Sequence, residues 1–144
     1  MPTFSAPNPD YRETVERLLM QMPYVAWLGL SFARIAPGEV ELQMPHRHEI
    51  TFDGNAVQAG PIGALLDFSG GSAAFTLVDR GVMLSTIDYS VKLLAPGIGQ
   101  RFIGRGAVLS AGKSLIVSRA DAFAVNGGDE RLIATGLVTM RVVS

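Results

Sequence analysis

One acidic residue stands alone in the stretch VQAGPIGALLDFSGGSAAF, Val57 to Phe75: Asp67 is its only charge. An ionised carboxylate is expensive to bury unless a partner offsets the cost. Read as a helix, the stretch places Gly63, Ala64, Gly70 and Gly71 on the face of Asp67, three and four positions away. Glycine inside a helix costs ~1 kcal/mol relative to alanine, so the interior glycines forfeit roughly 2–3 kcal/mol. Two arrangements account for that loss. One is close packing of this face against a sheet or a twin helix, with Asp67 tied to an Arg or to backbone amides. The other is an open slot beside the carboxylate where a second molecule lies. Packing alone does not choose between them, and both can hold at once.

The start of the same helix adds a second chemical element. Gln58, Ala59 and Gly60 precede Pro61, so their N–H groups sit at or just before the first turn. Amides there attract a negatively charged oxygen. Asp67 lies about two turns further in, ~10 Å along the axis. Amides for a developing oxyanion and a carboxylate near an attacking group are what acyl transfer requires. A site using both needs a substrate that spans the gap, or another element that narrows it.

Other residue types carry less. His46 and His48 form an H-x-H pair that would share one side of a strand, as metal ligands do. No third ligand stands nearby and the pair follows Pro45 in a polar connection, so a solvated loop is the reading and no metal is expected. The glycines form no phosphate-binding pattern in strand-to-helix context. Ala111-Gly112-Lys113-Ser114 reads as a tight hairpin turn. The absence of a Ser elbow and of any cysteine argues against a covalent Ser or Cys hydrolase.

These residues must be positioned by a small set of elements. Residues 1–8 read as a loose lead-in. A helix over about 9–22 follows, with Val15, Leu18, Leu19 and Met22 on one face and Pro23 closing it. WLGLSFARIAPGEVELQMP reads as two strands joined at Pro37-Gly38, and HRHEITFDGN as a polar connection. The buried helix is expected over about 60–79, with Pro61 in its first turn and Gly81 beyond its end. Four strand-like runs follow, ending at Pro96, Gly112, the Asn126-Gly127-Gly128 turn and the chain end. The order is β-β-α-β-β-β-β behind a leading helix, an α+β class with one antiparallel sheet and one buried helix.

Composition sets the outer bounds. A chain of 144 residues suits a single domain over 1–144 with a real core. Hydrophobic residues at 48% against 17% charged residues indicate a globular protein rather than a disordered one. The net charge of -1 makes no electrostatic case for nucleic acid or an anionic membrane. No apolar run approaches the ~20 residues that span a bilayer. MPTFSAPNPDYRETVE has no basic start followed by an apolar run, so no signal peptide is expected. With no cysteine, a reducing compartment fits, and cytoplasmic location is the expectation. A mean hydropathy of +0.29 is high for a small soluble monomer, which points to surface buried against copies of the same chain.

The segment VQAGPIGALLD resembles the V-H-G-G-x-x-x-x-L-x-D segment of hotdog-fold acyl-CoA thioesterases of the phenylacetate-pathway and 4-hydroxybenzoyl-CoA group. GVMLSTIDYSVKLLAPGIG resembles that family's next strand, and the order of elements agrees from about Tyr24 to Val143. The resemblance implies a hotdog fold, in which an antiparallel sheet wraps one long central helix and two subunits pair to make the sheets continuous. It implies a site between subunits and hydrolysis of an acyl-CoA, medium-chain or aryl, to the acid and free CoA, without metal or redox cofactor. Carried over, the carboxylate that activates water or attacks the thioester is Asp67. The oxyanion amide falls on Ala59 or Gly60. The partner-strand hydroxyl falls on Ser85, with Thr86 adjacent.

Lys113 and Arg105 are the cations the resemblance offers to CoA phosphates. Gln58 stands where the family has His, Ala59 where it has Gly, and Phe52 where it has Asn, which Asn55 replaces only if the loop shifts. Gln58 can hydrogen-bond but cannot act as an imidazole. These departures keep a non-catalytic module that binds acyl-CoA or another apolar ligand as the alternative. A hotdog hydratase would want an Asp-His pair that His46 and His48 do not form. A homodimer, assembled as a dimer of dimers, is expected.

Overall fold

The structure is a computed structural model that describes residues 2–143. Met1 and Ser144, the ends of the expected single domain, lie outside the described residues. Two short helices lead, α1 Tyr11–Met20 and α2 Pro23–Leu28. Strands β1 Ser31–Ala36 and β2 Glu39–Pro45 follow, then a single tight turn at His48–Ile50, then the central helix α3 Ala59–Phe75. The chain finishes with β3 Leu84–Tyr89, β4 Lys92–Leu93, β5 Arg101–Ala111, β6 Leu115–Asn126 and β7 Asp129–Val142. The strands form one antiparallel sheet in the order β1-β2-β5-β6-β7-β3, with β4 also on β7. α3 packs on β2, β5, β6 and β7. This is the hotdog arrangement of the α+β class.

The sheet comes unusually close to α3, and the residues that allow it are small. A Cβ on Gly106 would fall 2.1 Å from the Ser69 carbonyl oxygen, and one on Gly104 2.2 Å from Ser69 Oγ. On β6 the positions buried under the helix include Ser118, Ala120, Ala122 and Ala124. Ser69 turns its hydroxyl back to the Leu65 carbonyl at 2.6 Å, whereas the buried Ser118 hydroxyl on β6 has no hydrogen-bond partner among the described residues. Leu65, Leu66, Leu42, Met44, Phe102 and Ile133 close the core around this contact.

Several boundaries differ from expectation for local reasons. Pro23 both follows α1 and opens α2, where a first-turn proline loses no helical hydrogen bond. Trp27 and Leu28 are therefore helical rather than the start of a strand, and α2 ends at Gly29 with a left-handed φ of 72°. α3 stops at Phe75 rather than near 79. Thr76 accepts the Gly38 N–H at 2.7 Å and donates to the Ala73 carbonyl at 2.7 Å, tying the helix end to the β1–β2 turn. The run from Val82 to Pro96 breaks into β3 and β4. At the break the Ser90 hydroxyl accepts the Leu137 N–H, and a Cβ on Gly136 would lie 1.9 Å from the Ser90 carbonyl oxygen. Strand β3 pairs with β7 on one side only, and Ile87 and Tyr89 on it are about half exposed, at 53% and 46%.

Candidate active site

Asp67 is half-buried near the middle of α3, facing β3. Thr86 Oγ1 donates to Asp67 Oδ1 at 2.9 Å. Among the described residues no ion pair reaches Asp67, so the Arg-tied structural arrangement is not what is found. Burial raises the Asp67 carboxyl above its ordinary value, and the Thr86 hydrogen bond opposes that rise in part. A carboxylate that holds its proton more tightly is also a stronger base once ionised.

Strand alternation decides which hydroxyl meets it. Successive side chains on β3 point to opposite faces, so only one of Ser85 and Thr86 can aim at α3. Thr86 is half-buried and does so, while Ser85 is exposed beside it at the edge of the same cavity. Within one chain, the hydroxyl that bonds Asp67 is that of Thr86.

A cavity of about 310 Å³ opens beside Asp67. Phe68, Gly71, Ser72 and Phe75 continue its wall along α3, and Met83 and Met140 close the strand side. Val15, Leu18, Leu19 and Met22 form the opposite wall. The apolar face of the leading helix was legible from its spacing, but its role as a wall of this cavity was not. A three- and four-residue apolar spacing says that a helix packs, not against what.

The glycines on the Asp67 face divide between the two arrangements. A Cβ on Gly70 would lie 2.7 Å from Val138 Cγ2 and 2.9 Å from Val138 Cβ, so Gly70 exists for close packing. One on Gly71 would meet only Met140, at an ordinary 3.5 Å, and Gly71 lines the cavity. A Cβ on Gly63 would lie an ordinary 3.5 Å from the Tyr89 ring.

The helix start is a separate place within one chain. Gln58 caps α3, and its Oε1 accepts the Ala59 N–H at 2.8 Å. The Ala59 amide is therefore occupied by a side chain. At Gly60 an added Cβ would meet nothing within 4 Å, so the approach to that residue is open. Gln58 and Ala59 line a second cavity with Phe52, Ile62, Leu93 and Pro96, and it shares no residue with the cavity at Asp67. Ala59 and Asp67 are eight residues apart, about 12 Å along the helix. One chain alone does not bring amide and carboxylate together.

The remaining candidates fall elsewhere. Phe52 lines the helix-start cavity, whereas Asn55 belongs to a turn in which Asp53 Oδ1 accepts the Asn55 and Ala56 N–H groups. Arg105 lies across β5, held by both oxygens of Glu130 at 2.9 Å, by Glu41 at 3.2 Å, and over the Phe123 ring. A phosphate would have to displace those carboxylates. Lys113 is exposed on the β5–β6 hairpin and pairs with no carboxylate among the described residues. His46 bonds the Asn55 carbonyl through Nε2 at 3.0 Å.

The chain matches a solved thioesterase family protein from Silicibacter pomeroyi at 34% identity, with a TM-score of 0.89 over 92% of this chain and 97% of that one. The chain belongs to the thioesterase superfamily. Two more distant structures share the fold: a thioesterase from Haemophilus influenzae and a phenylacetic acid degradation-related protein from Ralstonia eutropha. The first is 19% identical with a TM-score of 0.81 over 99% of this chain and 93% of that one. The second is 22% identical with a TM-score of 0.76 over 89% and 98%. Neither a protein-family model nor a curated protein matches the chain. Among the described residues of this thioesterase-superfamily chain, no helix is long and apolar enough to cross a membrane.

Proposed function

We propose that this protein hydrolyses an acyl-CoA thioester, with a medium-chain or aryl acyl group, to the carboxylic acid and free CoA. The observation that carries the reading is Asp67: a half-buried carboxylate with a raised pKa, one oxygen held by Thr86, at the edge of an apolar cavity. The Thr86 bond fixes the carboxylate and leaves Oδ2 to accept a proton from water. That water attacks the thioester carbonyl carbon and Asp67 takes its proton. The tetrahedral oxyanion then collapses, the C–S bond breaks, and the CoA sulfur leaves with the proton.

The oxyanion needs amide donors, and these stand at the start of α3. Because one chain keeps amide and carboxylate in different cavities, the complete site is built between two chains. The unpaired edge of β3, with Ile87 and Tyr89 exposed, is where a second copy would join and continue the sheet. Gly60 is the better placed donor, since Ala59 donates to Gln58. Lys113 is the cation proposed to meet a CoA phosphate. No metal or redox group enters this reaction.

A panel of acyl-CoAs with detection of the released thiol tests the reading. Turnover well above the buffer rate, lost in Asp67→Asn, is expected. The capped Ala59 amide and Phe52 at the helix start favour one rival, a module that binds acyl-CoA without cleaving it. Tight binding with no thiol release would establish the rival instead.

A further inference from the structure

We propose that the cavity beside Asp67 takes the acyl group as a flexible, unsubstituted apolar chain lying along α3, and that Gly71 sets how far that chain reaches. The proposal rests on the thioester-hydrolase reading above and narrows its substrate. Asp67, Gly71 and Phe75 are spaced four residues apart and share one face of α3. They mark a groove about 12 Å long by helix rise, with the carboxylate at one end and the Phe75 ring at the other.

Gly71 is the glycine that lines this cavity, and close packing does not explain its smallness. An interior helical glycine costs ~1 kcal/mol relative to alanine. At Gly70 that cost is matched by contact with Val138, which leaves no room for a methyl group. At Gly71 an added Cβ would make only ordinary contact with Met140. The missing side chain enlarges the cavity one turn beyond the carboxylate instead of bringing two elements together. That is space for something the chain does not itself supply.

The lining names the class of occupant. Met22, Met83 and Met140 are unbranched and pliable, and they adapt to a chain that can bend. Polar groups in the wall are limited to Asp67, Ser72, Ser85 and Thr86. The wall formed by Val15, Leu18 and Leu19 of α1 and by Met22 beyond it offers no side-chain donor and no strong acceptor. A ring hydroxyl or a second carboxylate carried against it would lose its hydrogen bonds. A cavity of about 310 Å³ is small for a ligand site, so filling one residue's worth of it is expected to be felt.

The test uses Gly71→Ala and Gly71→Leu on the helix and Leu18→Trp on the opposite wall. Leu18→Trp keeps the test alive if Gly71→Leu does not fold. Hydrolysis of hexanoyl-, decanoyl-, tetradecanoyl- and phenylacetyl-CoA is measured, and decanoate binding is followed by titration calorimetry as a readout independent of turnover. The ratio of kcat/KM for tetradecanoyl-CoA to that for hexanoyl-CoA should fall roughly tenfold or more in Gly71→Leu and Leu18→Trp, and less in Gly71→Ala. Decanoate affinity should fall in parallel. If neither the chain-length profile nor decanoate affinity moves, the groove is not the acyl site, while thiol release by the parent leaves the hydrolase reading standing. If the parent prefers phenylacetyl-CoA over every straight chain, the proposed substrate class is overturned. If the parent cleaves nothing yet binds decanoate, and Gly71→Leu abolishes that binding, the hydrolase reading fails and the groove is upheld as an apolar-ligand site.

Discussion

Thr86 and Asp67 are joined at 2.9 Å by a hydrogen bond that runs from the β3 hydroxyl to the α3 carboxylate. It is the force acting against burial on the Asp67 pKa. Removing it in Thr86→Val should push that pKa higher still. If Asp67 is the base, the acid limb of the kcat/KM profile follows its ionisation and is displaced to higher pH than that of an ordinary aspartate. In Thr86→Val the limb should move to higher pH, with lower activity at mildly acidic pH and partial recovery as pH rises. An acid limb that stays put in Thr86→Val would separate the two residues functionally.

Asp67→Asn keeps size and hydrogen-bonding capacity but removes the base. General-base assistance typically supplies ~10²–10⁴-fold, so kcat should fall by that order. Stability should change in the opposite sense near neutral pH. A carboxyl with a raised folded pKa favours the folded state fully below its ordinary range and loses that contribution as pH rises through the raised value. The parent therefore carries the cost of a half-buried charge at neutral pH and the amide does not. Thermal melts across pH 4 to 8, a window set by ordinary carboxyl pKa values, should show Asp67→Asn gaining on the parent as pH rises.

The sheet, the central helix and Asp67 were legible because each leaves a local trace. Turn residues separate the strands, and a lone charge in an apolar helix stands out. Thr86 was harder to choose over Ser85. Adjacent strand residues are distinguished only by which face meets the helix, and strand register is set by partners far away in sequence. The capping of Ala59 by Gln58 carries no sequence signal of its own, since glutamine is not among the favoured N-cap residues. Two of the Asp67-face glycines, Gly70 and Gly71, look identical as letters. Only the position of Val138 and Met140 beneath them separates packing from cavity.

The shared-site proposal makes the free edge of β3 a necessity. Ile87 is 53% exposed there and lies outside the Asp67 cavity. A charge at that position disfavours edge-to-edge pairing. Ile87→Lys should shift the protein from dimer or tetramer to monomer by light scattering at micromolar concentration, and hydrolysis should be lost with it. A fully active monomer would show that one chain is sufficient.

Lys113 sits on an exposed hairpin and does not line the carboxylate cavity. If it meets a CoA phosphate, it contributes to binding of a part of the substrate that does not react. Lys113→Ala should then raise KM severalfold more than it lowers kcat, and the effect should shrink as salt is raised. A large fall in kcat at constant KM would place Lys113 in the chemistry instead.

The neighbouring glycines give a stability test that needs no substrate. Alanine at either position gains ~1 kcal/mol of helix propensity. At Gly70 the new methyl would stand 2.7 Å from Val138 Cγ2, a branched side chain fixed on a buried strand. Overpacking of that kind costs typically ~1–3 kcal/mol, enough to cancel or exceed the gain. At Gly71 the methyl would enter the cavity 3.5 Å from Met140, with nothing to displace. Gly71→Ala should therefore melt at or above the parental temperature and Gly70→Ala at or below it. Denaturant unfolding should order the three proteins in the same way. If Gly70→Ala proves the more stable of the two, Val138 yields easily, and the division of this helix face into a packed side and an open side is wrong.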